Sequence, residues 1–445
     1  MSILQRIRSG LRDDPTIRRV LRSSGYLFSS NTISTVLGFV QGILITRLLG
    51  DELFGAMTTI IVFVSSVNRL LSFRMSEVVV KYVGDALAQK DNKRASALVK
   101  GIGFTEAIVS VLAYLVLLLL STWGAWIFAE DASLAPLFRF YGLFLLANIV
   151  YETSVGVLQT TDKFKQVAQA NFYQSIVLTV LIVAAFFLQW GLTGVLTAYL
   201  IGKTIAGVLV AISAGHELRN RLGNHWITTP LSYVTNWREI FSFAFSTNVN
   251  GTVNLFARDN LPLYLAAFLP NAQVGYFRIA TSLINMVMLP IEPFIWPTYA
   301  EITRTIAQKQ WGSTRTLLKQ VSSIAGVWTL LAGGGLAAFG WWFIPFAYGS
   351  EFAPAYMGVL ILLVGYGIAN VMNWNRPLLL ALGQPTYPLL VAAVTGAIEV
   401  VLMFILLPHG NYLTGAMIFS AYLTVSVLWN VLRGLSVLRR EEVKT

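Results

Sequence analysis

The sequence predicts an all-α, polytopic membrane protein with twelve transmembrane helices in two parallel six-helix lobes around a central cavity. Three observations predict it. The first is composition: of 445 residues, 56% are hydrophobic and only 12% charged, where a soluble domain carries roughly 25% charged residues, and the mean hydropathy is +0.66. The second is a series of twelve apolar runs, each near the roughly 20 residues that cross a bilayer. The third is an internal repeat that relates the first six runs to the last six.

The first run follows a basic segment, 1–22, in which Arg6, Arg8, Arg12, Arg18, Arg19 and Arg22 surround Asp13-Asp14-Pro15. The run is too long for a signal-peptide core, so it is expected to be an uncleaved span behind a cationic segment on the membrane surface. The runs lie at 26–46, 55–73, 101–121, 134–157, 168–188 and 192–212, forming an N-lobe over 23–212. A polar linker, 213–238, follows. The second set lies at 240–266, 274–294, 322–343, 355–374, 387–407 and 413–435, a C-lobe over 239–435 with a tail at 436–445.

Loop charge alternates. Asp51, Glu52, Glu130, Asp131, Glu351 and His409 mark one side; Lys90, Lys93, Arg94, Lys100, Lys163, Lys165, Arg219, Arg221, Arg238, Arg304, Lys309, Arg315 and Lys319 mark the other. Cationic loops stay in the cytoplasm, which puts both termini there and agrees with an even number of spans. The net charge of +11 is therefore a topology signal, and no nucleic-acid partner is expected. Cysteine is absent, and His216, His225 and His409 are far apart, so no disulfide and no thiolate or histidine metal site is expected.

The two halves match in order. Phe28-Ser-Ser-Asn-Thr resembles Phe245-Ser-Thr-Asn-Val, and Ala88-Gln89-Lys90 matches Ala307-Gln308-Lys309. Ala147-Asn148 matches Ala369-Asn370, Leu192-Thr193-Gly194 matches Leu413-Thr414-Gly415, and Ala198-Tyr199-Leu200 matches Ala421-Tyr422-Leu423. Six helices per repeat leave the second copy in the same orientation, so the repeats are parallel with a cavity between lobes.

Charge inside the spans points to that cavity. Read as one helix, 65–81 puts Arg74, Glu77 and Lys81 at i, i+3, i+7 on one face, with Arg69 deeper. A charge at the bilayer centre costs about 3 kcal/mol on insertion scales; snorkelling at the membrane edge is the competing reading for Arg74 and Lys81. The first span carries Ser29, Ser30, Asn31, Thr32, Ser34, Thr35 and Gln41. In the seventh, Asn250, Asn254 and Arg258 form one stripe, followed by Asp259. Helix-to-helix bonding explains isolated hydroxyls, whereas a stripe ending in Arg258-Asp259 suits a lumen. Pro290, Pro293 and Pro297 around Glu292 predict a kinked or broken eighth helix. Gly333-Gly334-Gly335 is read as close packing.

Signals for enzyme chemistry are poor. Gly202-Lys203-Thr204 lacks the glycine that a phosphate loop needs at Thr197. Asn250-Gly251-Thr252 is a glycosylation triplet inside an apolar run. The sequence holds no G-x-S-x-G, no H-E-x-x-H and no paired carboxylates in a loop, and the outer loops are short. The chain is not expected to be an enzyme.

A family resemblance rests on Arg47-Leu48-Leu49-Gly50 with Phe54-Gly55, then Phe73-Arg74-Met75-Ser76-Glu77 and Lys81-Tyr82-Val83. It continues at Leu158-Gln159 with Lys163-Phe164-Lys165, and at Leu382-Gly383-Gln384-Pro385. Together these residues resemble the polysaccharide (O-antigen type) flippase branch of the multidrug/oligosaccharidyl-lipid/polysaccharide (MOP) transporter superfamily, over most of the chain. The resemblance implies a central, often cationic cavity and export of undecaprenyl-diphosphate-linked oligosaccharide across the bacterial cytoplasmic (inner) membrane by alternating access, for O-antigen, capsule or exopolysaccharide synthesis. Expected partners are the lipid-linked oligosaccharide, membrane lipids, and a polysaccharide polymerase and export machinery. Twelve spans depart from the fourteen-helix members.

The charges fit such a cargo. Arg69, Arg74, Arg258, Arg278 and Arg376 are candidates to hold a diphosphate, for which the guanidinium fork is suited, with Asn250 and Asn254 as further substrate contacts. Glu77, Asp259, Glu292 and Glu399 are candidates for ion coupling, with no cofactor and with a proton or sodium gradient as the energy source. The same carboxylates keep a cation-coupled multidrug antiporter of the superfamily as the alternative. A membrane glycosyltransferase or polymerase is disfavoured by the short outer loops, and a non-transporting scaffold leaves the buried charge unexplained.

Overall fold

The computed structural model describes the backbone of residues 15–72, 74–224 and 226–443, and within these the side chains of all but 15–32, 246, 247, 249–251, 253, 254, 257, 293 and 296. Every regular element among the described residues is helical. The helices are α1 (Pro15–Leu71), α2 (Met75–Val78), α3 (Gly84–Ala88), α4 (Asn92–Phe128), α5 (Ala135–Gly142), α6 (Phe144–Ala147), α7 (Tyr151–Thr160), α8 (Phe164–Phe187) and α9 (Gly191–Leu222). They continue as α10 (Trp237–Asn254), α11 (Leu261–Ala266), α12 (Asn271–Met288), α13 (Ile295–Ala307), α14 (Trp311–Tyr348), α15 (Ala355–Val371), α16 (Asn375–Ala381), α17 (Thr386–Leu406) and α18 (Tyr412–Val443). Among the described residues, nine helical stretches are long and apolar enough to cross a membrane. The first of these covers two expected spans. The expected seventh and eighth positions are filled by the polar helices α10 and α12.

Element α1 is two helices that meet at a kink at Gly50, whose φ of 71° and ψ of −178° are non-helical. That backbone conformation suits glycine, which has no Cβ to clash. The single helix expected over 65–81 is corrected by the structure. It ends at Leu71, Arg74 is non-helical at φ −71° and ψ 70°, and the chain restarts at Met75. A π-helical turn, Val79–Val83, then adds a residue to the helical repeat. Arg74, Glu77 and Lys81 therefore do not share one continuous helical face. The polar stretch after the sixth run also begins later than the pattern suggests: helix α9 runs to Leu222, because Ser213–Arg221 still places Ala214 and Leu218 on a buried face.

The internal repeat marks real breaks. The fourth run stops at Asn148, whose Nδ2 donates to the Phe144 carbonyl at 2.9 Å, and resumes at Tyr151. The tenth stops at Val371, one residue after the matching Asn370, and resumes at Asn375. The eighth breaks as its prolines predict: α12 ends at Met288, a short turn covers Glu292–Phe294, and α13 starts at Ile295.

Two compact units organise the contacts. The first comprises the described residues of Met1–Gln41, Val67–Leu119 and Arg139–Val249. Its core holds Val78, Val79, Leu98, Leu158 and Val210, each 0% exposed. The second comprises Gly42–Ser66, Leu120–Phe138 and the described residues of Asn250–Thr445. Within it, the second limb of α1 crosses the start of α12. A Cβ on Gly55 would lie 1.7 Å from the Asn271 carbonyl oxygen, and one on Gly275 would lie 3.0 Å from the Asp51 carbonyl oxygen. Asp51/Asn271 and Gly55/Gly275 are both pairs 220 positions apart, so the two close contacts are reciprocal.

Candidate functional site

In the second unit the seventh helix does not run straight through. Helix α10 passes into a π-helical turn, Leu255–Asp259, before α11. A π turn widens the coil by one residue and re-aims the side chains it carries, a device common at functional sites. Here it carries Arg258 and Asp259, both exposed. The turn packs against α17, which carries Glu399. Arg258 lies within electrostatic reach of the Tyr366 hydroxyl of α15, as do Arg278 of α12 and Asp259. Four of the residues singled out from the sequence thus gather in one unit: Arg258, Asp259, Arg278 and Glu399.

Glu399 is 2% exposed, and neither carboxylate oxygen has a hydrogen-bond partner. Arg258 is the cation that bears on it, and Glu399 in turn acts on Tyr264 and Tyr422. A buried carboxylate without hydrogen bonds is costly in its charged form. Such a group is stable only while a proton or a nearby cation compensates it.

Other candidates in this unit stand elsewhere. Arg376 is exposed in the first turn of α16, and Glu292 is exposed in the short turn after α12. Asn250 and Asn254 lie outside the described side chains. The Arg47 motif proves to be structural. Arg47 Nε donates to the Ala347 carbonyl at 2.8 Å, and its Nη2 donates to the Phe346 carbonyl. A cation thus caps the negative C-terminal end of α14. Nearby, the Tyr276 hydroxyl donates to Asp51 Oδ2 at 2.6 Å.

In the first unit Arg69 ends α1 and is exposed. Lys203 of α9, which the sequence showed only as a false phosphate loop, comes close enough to Arg69 for the two cations to act on each other. Arg74 Nη1 meets Glu77 Oε1 at 2.8 Å, with side chains 52% and 44% exposed. An exposed pair of this kind contributes about 0.5 kcal/mol. Glu77 is therefore locally paired rather than a buried carrier.

The sequence reading missed Glu106. It is 5% exposed, and its two oxygens accept the backbone N–H groups of Glu152 and Thr153, each at 2.8 Å. It caps α7 from a different helix, as an anion at a helix N-terminus should. Ser76 donates to Glu152 Oε2 at 2.5 Å. A lone glutamate inside the third apolar run was the available signal.

Comparison with known proteins now decides the family. The sequence model of the polysaccharide biosynthesis protein family matches residues 20–303. The chain belongs to that family. It is 21% identical over 325 residues to the inner membrane protein YghQ of Escherichia coli strain K12, covering 72% of this chain and 88% of that one. The fold matches a multidrug resistance MATE transporter of the MOP superfamily in its inward-facing conformation, with a TM-score of 0.76, 12% identity and coverage of 93% and 96%. It also matches the lipid II flippase MurJ in an inward closed conformation, at a TM-score of 0.70, 14% identity and coverage of 94% and 90%. A MOP superfamily transporter from Pyrococcus furiosus follows at 0.65 and 13% identity, covering 97% and 98%. The protein is a multi-pass membrane protein of the polysaccharide biosynthesis family with the MOP transporter fold.

Proposed function

We propose that the protein is a flippase that moves undecaprenyl-diphosphate-linked oligosaccharide outward across the bacterial inner membrane, with both termini in the cytoplasm. Family membership supports the pathway. The single observation that supports an anionic cargo is that Arg258 and Arg278 both lie within electrostatic reach of Tyr366. Two guanidinium groups beside a phenol offer several N–H donors and an O–H to phosphate oxygens. A cationic drug, the cargo of the alternative antiporter, would meet two positive charges there.

Glu399 is the proposed coupling group, exchanging a proton with an inward gradient. Its nearness to Arg258 links the two events, because any change in its charge alters the field at the phosphate-binding guanidinium. Asp259, on the same π turn, is placed to share this role.

Reconstitution tests both roles. In proteoliposomes with a fluorescent polyprenyl-diphosphate glycan, Arg258→Ala should lower flipping at least about tenfold. Arg258→Lys should keep part of it, since the charge remains but the planar fork is lost. Glu399→Gln should leave exchange but abolish uphill movement. Full uphill flipping by Arg258→Ala would sink the substrate assignment. Uphill flipping by Glu399→Gln, or by the unaltered protein with proton and sodium gradients collapsed, would sink the coupling.

A further inference from the structure

A second charged site lies in the first unit, formed by residues other than Arg258 and Glu399. A shallow cavity of about 620 Å³, open to solvent over most of its extent, lies between the end of the π turn Val79–Val83 and the start of α10. Its lining includes Lys81, Tyr82, Asn236, Arg238, Glu239 and Phe243. These residues sit at the ends of apolar runs, on the side that loop charge assigns to the cytoplasm.

The π turn explains why Lys81 is here. It removes Lys81 from the Arg74–Glu77 face and sets its Nζ 4.0 Å from the Phe243 ring centroid and 4.8 Å from that of Tyr82. The two rings meet edge to face with centroids 5.7 Å apart, forming an aromatic corner. Rings hold an ammonium without neutralising it. Neither Lys81 nor Arg238 forms an ion pair among the described residues.

The one carboxylate of the lining is already engaged. Glu239 accepts from the Tyr82 hydroxyl at 3.0 Å and from Asn236 Nδ2 at 3.1 Å. Those bonds, the Asn236 amide first, hold it below the usual carboxylate range. Lys81 and Arg94 also act on it. The lining thus holds two cations, Lys81 and Arg238, and one anion, Glu239.

We infer that this cavity binds the phosphate headgroup of a membrane lipid, with Lys81 and Arg238 as its cationic contacts and the Tyr82–Phe243 corner as its wall. The cavity's place at the ends of apolar helices makes a lipid, rather than a soluble anion, the natural occupant. The inference is independent of glycan flipping, since it concerns a different group of residues in a different unit.

Native mass spectrometry of the full chain in detergent tests it. The probes are phosphatidylglycerol, a polyprenyl diphosphate, inorganic pyrophosphate and, as the zwitterionic control, phosphatidylcholine. The expected result is one saturable adduct with an anionic lipid, weakened at least about tenfold in Lys81→Gln/Arg238→Gln. Lys81→Arg should retain it. The matched control Lys90→Gln/Lys93→Gln removes the same charge from the same side and should leave it unchanged. Preference between the first two probes tells whether the site serves bulk phospholipid or a diphosphate carrier. Equal weakening by the control pair, or binding of phosphatidylcholine as tight as phosphatidylglycerol, overturns the inference in favour of diffuse surface charge. Tighter binding of pyrophosphate than of either lipid overturns the lipid assignment. If the double variant fails to accumulate, Arg238→Gln alone, at an exposed side chain, must still weaken the adduct.

Discussion

Gly55 and Asn271 touch where no side chain fits: a Cβ on Gly55 would stand 1.7 Å from the Asn271 carbonyl oxygen and 2.4 Å from its carbonyl carbon. The obstacle is backbone, so it cannot rotate away. The equivalent contact, Gly275 on the Asp51 carbonyl oxygen, is looser at 3.0 Å.

Gly55→Ala should therefore destabilise the protein by about 3 kcal/mol, the upper part of the usual overpacking cost. Gly275→Ala should cost less, about 1 kcal/mol, because a few tenths of an ångström of give relieves it. Thermal unfolding in detergent checks both. An unchanged Gly55→Ala, or a Gly275→Ala that is the worse of the two, would show that the helices separate freely at this crossing.

Glu106 should be a stability residue of the first unit. Glu106→Ala leaves the N–H groups of Glu152 and Thr153 without acceptors in a buried place, at a cost of about 2 kcal/mol. Glu106→Gln keeps one acceptor oxygen and should cost about half as much. Unfolding midpoints ranked Ala below Gln below the unaltered protein are expected. Normal stability with lost transport in Glu106→Gln would instead make Glu106 part of the transport chemistry.

Arg47 should behave as a helix cap. Arg47→Lys cannot bridge the Phe346 and Ala347 carbonyls with a planar fork. It should lose about 1 kcal/mol of stability and keep its flipping rate per folded molecule. Melting and proteoliposome assays on one preparation separate the two. A normal midpoint with slower flipping would mean that Arg47 meets the substrate.

The fold class was legible because a bilayer allows little else. Backbone polar groups in hydrocarbon must be paired within the segment, so a long apolar run is a helix. Composition, run length and the drifting repeat sufficed to announce an all-α membrane protein. The prolines around Glu292 foretold a break, whereas the breaks after Asn148 and Val371 fell inside runs read as single spans. Glu399 was found as a lone charge in an apolar run, a signal that needs no tertiary contact.

What the tertiary structure decided was direction and partnership. Periodicity assumes a constant helical phase, and the π turns at Val79–Val83 and Leu255–Asp259 break that assumption while leaving no mark in composition. They turn Lys81 toward Phe243 and bring Arg258 to Tyr366. The family motif at Arg47 carried no role in the sequence, and the structure shows it bonded to the carbonyls at the end of α14. Glu106, Lys203 and the cavity beside Arg238 depend on residues far apart in the chain, as Tyr82 and Glu239 are at 157 positions. Such pairs are chosen by packing between helices, and a single chain read in order carries the residues but not the distances.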